Sequence, residues 1–288
     1  MKPRSIILDL FGDYLRYAGA EIKLGDMTRL LAVFGVEPAT VRVSMSRLKK
    51  ECWFTTRRQQ RETVYELTEK MLHVLNEGRV RIFDRRQEPW QGRWTMVIYQ
   101  VPETDRSLRE QLRKDLSWHG FGQLSTSTWV APHDLLEEAH HLAADYPSAT
   151  IDVLWCGTGD PDADRNLAAR CWDLSQLAAD YERFIASYAP FNDPAANAAK
   201  PGSRALAERI QLISDFRRFP FRDPFLPAEL QPPDWPGDAA FTLFKEIHRQ
   251  LAGPSNAFVS DLIGREILVD PPSVSGDAGR RNAGQAPA

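Results

Sequence analysis

The sequence predicts an α+β chain in three parts, and three runs of pattern predict it. Residues 4–68 read as three helices followed by two β-rich runs around a polar tip. Residues 94–156 read as strand, helix, strand, strand, helix, strand. From residue 171 to about 252 helical periodicity returns between Pro-rich connectors. The first pattern, closed by a helix after Thr68, is a winged helix-turn-helix. The second is the ferredoxin-like βαββαβ unit. The expected divisions are 1–88, 89–157 and 158–270. The tail 271–288 lacks apolar residues and is expected to be disordered.

The first helix is expected over 4–17, where Ile6, Ile7, Leu10, Phe11 and Leu15 recur at helical spacing. The second spans about Gly25 to Phe34, with Met27, Leu30, Leu31 and Phe34 as its stripe and Gly35 as its stop. Pro38 suits the first position of a third helix that ends near Glu51. Strands follow at 53–57 and 63–67, around Arg58-Gln59-Gln60-Arg61. In the middle part, "WTMVIYQV" is strand-like and "DRSLREQLRKDLSW" a helix marked by Leu108, Leu112 and Leu116. "GFGQL" and "STWVAP" are two short strands, "HDLLEEAHHLAADY" a helix and "ATIDVLWC" a strand. Helices are then expected at 171–188, 203–218 and 238–252.

Composition bounds the function. The 288 residues are ample for a buried core. Cysteines 52, 156 and 171 form no C-x-x-C pair, which argues against a disulfide framework or zinc ribbon and fits a reducing cytoplasm. Asp9 and Asp13 interrupt the N-terminal apolar run, so it does not read as a signal peptide, and no window reaches the roughly 20 apolar residues of a membrane span. The formal charge of −3 is unevenly distributed: residues 1–88 carry 17 Lys/Arg against 12 Asp/Glu, the remainder 19 against 27. A basic module on an acidic body points to a polyanion partner for that module alone.

In the third helix Val41, Met45, Leu48 and Cys52 share one face, expected to pack inward. The opposite face holds Ala39, Val43, Ser46, Arg47 and Lys50, flanked by Arg42 and Lys49. A major-groove helix needs this mixture. Arg can bind guanine through two bonds, Val can touch a thymine methyl, and Lys can neutralise phosphate. Arg57, Arg58 and Arg61 would let the hairpin lie along the backbone or minor groove. The competing reading is a solvated basic face. Its placement between a short helix and a hairpin favours DNA. The expected interface with double-stranded DNA is therefore Thr40, Arg42, Val43, Ser46, Arg47, Lys49, Lys50, Arg57, Arg58 and Arg61.

Catalytic patterns are thin. A metal-dependent nuclease needs clustered carboxylates, yet the first central strand ends Tyr99-Gln100-Val101-Pro102. His133, Glu137 and His140 or His141 have a spacing compatible with a metal on one helix face, without a further ligand, and read as a solvated face. "GTGD" lacks the third Gly of a dinucleotide loop, and Asp160, Asp162 and Asp164 would repel phosphate, so it reads as a linker. No catalytic residue, cofactor or metal is assigned.

The blocks "ILDLFGDYLR", "GVEPATVRVSMSRLKKECWFTTRR", "YELT", "GRWTMVIYQVPE" and "FRRFPFRDPFLPAELQPPDWPG" resemble, in order, the PaaX-type transcriptional repressors of phenylacetic acid catabolism. The resemblance runs to about residue 270. It implies a winged-helix domain, a ferredoxin-like domain related to CRISPR-associated nucleases and a helical C-terminal domain. It also implies a dimeric, DNA-binding repressor released by an aryl-CoA thioester, phenylacetyl-CoA. The chain departs from the pattern at "KKECWF", where a Gly is expected near Glu51 or Cys52. In "DFRRFPFRDPFLP", Arg217, Arg218 and Arg222 alternate with aromatics. Arginine forks suit phosphates and aromatics suit a ring, and a CoA ester offers both. The competing reading is that these Phe residues pack in the core. Two alternatives remain: the same architecture with another acyl-CoA or aromatic acid effector, and a metal-dependent nuclease using the central domain.

Overall fold

A computed structural model describes residues 1–84 and 89–268; the expected disordered tail at 271–288 lies outside them. The α+β class and the order of its parts stand as the sequence predicts. The chain divides into two compact units. Of the described residues, the first comprises 1–80, 201–210 and 254–268, and the second 81–84, 89–200 and 211–253.

In the first unit α1 spans Pro3–Asp13 and buries Ile6, Ile7, Leu10 and Phe11. The expected single helix over 4–17 is interrupted. Tyr14 leaves helical geometry (φ −133°) and is fully buried, and Leu15–Tyr17 forms a separate 3₁₀ turn. A three-residue strand, β1 (Glu21–Lys23), follows; it is too short to leave a periodic signal in the sequence. Helix α2 (Leu24–Ala32) buries Met27, Leu30 and Leu31, and Gly35 ends the segment at φ +69°. Helix α3 (Pro38–Lys50) starts on Pro38 and buries Val41, Met45 and Leu48.

Cys52 does not join that stripe. The helix stops at Lys50, and Cys52 is exposed at φ +60°. The Cys52 amide donates to the Lys49 carbonyl and the Trp53 amide to the Leu48 carbonyl, the pair of bonds of a Schellman cap. Glycine is the residue this left-handed position favours, so the Gly missing from "KKECWF" is replaced by a cysteine in glycine's conformation. Strands β2 (Phe54–Gln59) and β3 (Glu62–Leu67) pair antiparallel from Phe54↔Leu67 to Gln59↔Glu62. The tip is therefore tighter than expected: Gln60 and Arg61 form the turn, with Gln60 at φ +55°, and Arg58 lies in the strand. The sheet order is β1-β3-β2. Helix α4 (Glu69–Phe83) begins at Thr68, whose hydroxyl accepts from the Met71 amide at 3.2 Å and donates to the Cys52 carbonyl at 2.9 Å.

The second unit holds β4 (Trp94–Gln100), α5 (Arg106–Trp118), β5 (Gly122–Gln123), β6 (Thr128–Ala131), α6 (Leu136–Ala144) and β7 (Thr150–Cys156). The antiparallel order β5-β6-β4-β7 places the first strand centrally between the third and fourth, as a ferredoxin-like βαββαβ unit requires. Val97 and Tyr99 of β4 pack with Leu112, Leu116 and Leu142 of the two helices. Trp94 and Val130, on the other face, pack with Ala168, Leu174, Leu226 and Leu230. Asp105 caps α5 by accepting from the Leu108 amide at 3.0 Å.

"GTGD" lies outside helix and strand, as a linker should, and leads into a helix not expected before residue 171, α7 (Pro161–Cys171), with Asp160 as its N-cap and Asp162 in the first turn, where acidic charge is favourable. Asp164 is buried and accepts from the Trp94 indole at 2.8 Å. Then come α8 (Leu174–Tyr188), α9 (Pro194–Ala198), α10 (Gly202–Phe216), α11 (Gly237–Gln250) and α12 (Ala252–Ile263), the last beyond the expected helix end at 252. Phe216 stacks on Phe244 at 4.1 Å and Phe219 on Tyr181 at 4.1 Å, so these aromatics are core.

The first unit draws on both ends of the chain. Leu206 and Ile210 of α10, with Val259 and Ile263 of α12, belong to the same core as α1 to α3. Arg209, 7% exposed, pairs with Asp13, 8% exposed, at 3.1 Å, and also donates to Asn256 at 3.0 Å.

Candidate DNA interface

The site is built on α3. Its Val41, Met45 and Leu48 are at most 1% exposed, which fixes the helix's rotation about its axis. Thr40, Arg42, Val43, Ser46, Arg47, Lys49 and Lys50 are all exposed as a result. Val43, 50% exposed, sets an apolar side chain among the cations. Four of these seven side chains are cations, and three of them, Arg47, Lys49 and Lys50, occupy the last helical turn, where the backbone dipole favours positive charge.

Beside α3 lies an open cleft of about 560 Å³ lined by Lys2, Arg4, Ala39, Thr40, Val43 and Arg47, among others. Lys2 and Arg4 were missed in the sequence. They precede and begin α1, a helix with no acidic residue in its first turn. Cations at a helix N-terminus oppose the dipole, so their presence there is the signal that could have found them. Arg4 is paired with Glu51 at 2.6 Å and lies 5.1 Å over the Trp53 ring.

The three wing arginines differ. Arg57 is held by Glu21 of β1 at 2.6 Å. Among the described residues Arg58 reaches only the Gln60 carbonyl, at 3.5 Å. Arg61 stands in the turn, exposed, with no ion-pair partner among the described residues. The C-terminal arginines are separated as well. Arg222 is 2.5 Å from Asp180, whose carboxyl it holds below the usual range. Arg217 is half-buried and Arg218 exposed.

Little else offers chemistry. Burial raises the Cys171 thiol to about 11 and also raises Cys156, which disfavours a thiolate at either. His133 precedes α6 rather than lying on it, and its Nε2 faces the Phe225 carbonyl at 3.0 Å. Among the described residues no three His, Cys, Asp or Glu side chains are grouped to hold a metal ion. None of the described helices is long and apolar enough to cross a membrane.

Family models match nearly the whole chain in order. Residues 2–71 match a PaaX-like protein, 87–168 the PaaX protein central Cas2-like domain, and 172–261 a PaaX-like protein C-terminal domain. The chain belongs to the PaaX family. It is 33% identical over 266 residues to the transcriptional repressor PaaX of Escherichia coli K12, covering 89% of this chain and 83% of that one. Its fold is similar to that of the uncharacterized protein Rv0674 from Mycobacterium tuberculosis, with a TM-score of 0.63, 25% identity, and coverage of 89% and 98%. The PaaX resemblance read from the sequence is thus confirmed, and α3 with its cleft lies in the first of the three matched regions.

Proposed function

We propose that this PaaX-family protein is a cytoplasmic, homodimeric repressor of phenylacetate catabolism that binds double-stranded operator DNA and is released by an aryl-CoA such as phenylacetyl-CoA. The observation that carries the DNA reading is the single face of α3 on which seven exposed residues, four of them cationic, stand opposite a fully buried stripe. Arg47 reads a base, with Thr40, Arg42, Val43 and Ser46 beside it, and Lys49 and Lys50 contact phosphate. Arg57, Arg58 and Arg61 lie along the DNA backbone. The aryl-CoA part of the reading is supported by the PaaX resemblance, with Arg217, Arg218 and Arg222 as candidate phosphate contacts. Exposed Arg218 is the best placed of the three. The functional divisions are 1–88 for DNA, 89–157 for the ferredoxin-like part and 158–270 for the helical part, with no catalytic role.

Arg47→Ala tests the interface. A bidentate guanine contact is worth about 1–3 kcal/mol of discrimination, so operator affinity should fall by that amount while random DNA is affected less. Fluorescence anisotropy on both sequences measures it. Equal losses on both would make Arg47 a phosphate contact.

Two-fold pairing on a palindrome is the usual way a single winged helix gains enough base contacts. Light scattering should therefore give a dimer at micromolar concentration. A monomer, both free and on DNA, would overturn the homodimer.

A further inference from the structure

We propose that a surface cleft built by Trp118, Phe221, Arg81, Arg113 and Lys114 binds the adenine and phosphate end of a coenzyme A thioester. The inference rests on the aryl-CoA reading above and gives it a location. Trp118 ends α5, and Phe221 comes from the aromatic and arginine segment after α10. Each is 46% exposed, and their rings stack at 5.4 Å with 30° between planes. Arg81 lies 4.3 Å over the Trp118 ring and 5.5 Å from the Phe221 ring, and donates to the Trp118 carbonyl. Two large aromatics left half in water, yet held by a cation, form a rigid platform on which a further ring can stack.

The charge around the platform is positive. Among the described residues Glu110 is the one acid lining the cleft, and it lies 3.6 Å from Arg113. Lys114 is exposed and has no ion-pair partner among the described residues. The cleft measures about 370 Å³, large enough for an organic ligand. A second exposed Trp–Arg pair, Trp155 and Arg93 at 4.8 Å, adjoins a cavity of only about 30 Å³, room for about one water. It makes a natural control.

The chemistry selects which end of the ligand sits here. A ring stacked beside several cations must be a ring closely tethered to phosphate, which in a CoA ester is adenine. The acyl ring lies at the far end of the pantetheine arm, carries no charge and gains most from an enclosed apolar pocket. An open cationic platform offers it nothing specific.

Calorimetric titration of the full-length protein tests this with phenylacetyl-CoA, free CoA and adenosine 3′,5′-bisphosphate. All three should bind. Trp118→Ala and Lys114→Glu should each weaken all three by about tenfold or more, while Trp155→Ala leaves them unchanged and all variants keep the parent melting temperature. If phenylacetyl-CoA binds the parent and both cleft variants equally, the cleft is wrong and the aryl-CoA reading stands. If the parent binds neither CoA compound but adenosine 3′,5′-bisphosphate binds and is lost in Trp118→Ala, the cleft is a nucleotide site and the aryl-CoA reading fails. Binding of none of the three overturns both.

Discussion

Cys52 occupies a backbone conformation that costs a residue with a Cβ roughly 1–2 kcal/mol. It persists because the Schellman bonds to Lys49 and Leu48 close α3, and because the Trp53 carbonyl must turn back to meet the Thr68 amide at 3.2 Å. Exposure at Cys52 means that its side chain contributes little packing to offset the strain. Cys52→Gly should therefore stabilise the protein. Glycine's extra freedom in the unfolded chain takes back part of the gain, leaving about 1 kcal/mol net. A urea titration should show a higher midpoint at unchanged slope. A lower midpoint would mean that the 4.0 Å contact of the Cys52 thiol with the Lys50 carbonyl outweighs the backbone strain.

At the scale of the element, the wing is a hairpin whose three arginines are in three different situations. Arg57 is engaged by Glu21 across the sheet, whereas Arg58 and Arg61 project near the two-residue turn with weak partners or none among the described residues. A side chain already paired must break that pair to meet phosphate, so Arg58 and Arg61 are the better placed. Each phosphate contact releases condensed counterions. Arg58→Ala or Arg61→Ala should weaken operator and non-operator DNA alike and reduce the slope of log K against log salt by about 1. A salt titration of both variants on both DNAs decides it; slopes equal to the parent's for both would take the wing off the backbone. The strand register moved Arg58 from the expected tip into β2, a two-residue shift that no propensity in this Gly-free turn could have fixed.

For the whole molecule, the first compact unit is assembled from sequence-distant pieces. Its core needs Leu206 and Ile210 from α10 and Val259 and Ile263 from α12. Its buried pair joins Arg209 to Asp13 across almost 200 residues of chain. Removing one member leaves the other charged and buried, which typically costs about 3–5 kcal/mol. Arg209→Met should destabilise by that order, and Asp13→Leu together with Arg209→Met should recover most of the loss. The same logic applies to a fragment ending at residue 88, which lacks all four apolar partners and the arginine. Its thermal transition should be lower and broader than that of the full chain. An Arg209→Met protein with the parent's melting temperature would show that the pair does not matter to stability.

The sequence alone determined what depends on local periodicity and charge. The stripe Val41, Met45 and Leu48 fixed the outward face of α3, and alternating apolar runs with Leu108, Leu112 and Leu116 fixed the βαββαβ order. Three things were decided only by the tertiary structure. Strand β1 is too short for periodicity and exists because β3 offers it an edge. Lys2 and Arg4 reach the α3 cleft because α1 packs there, far away in sequence. Trp118 and Phe221 became a stacked platform only when helix α5 and the segment after α10 met, more than a hundred residues apart. Periodicity reports which face of an element is buried; it carries no information about which distant element buries it.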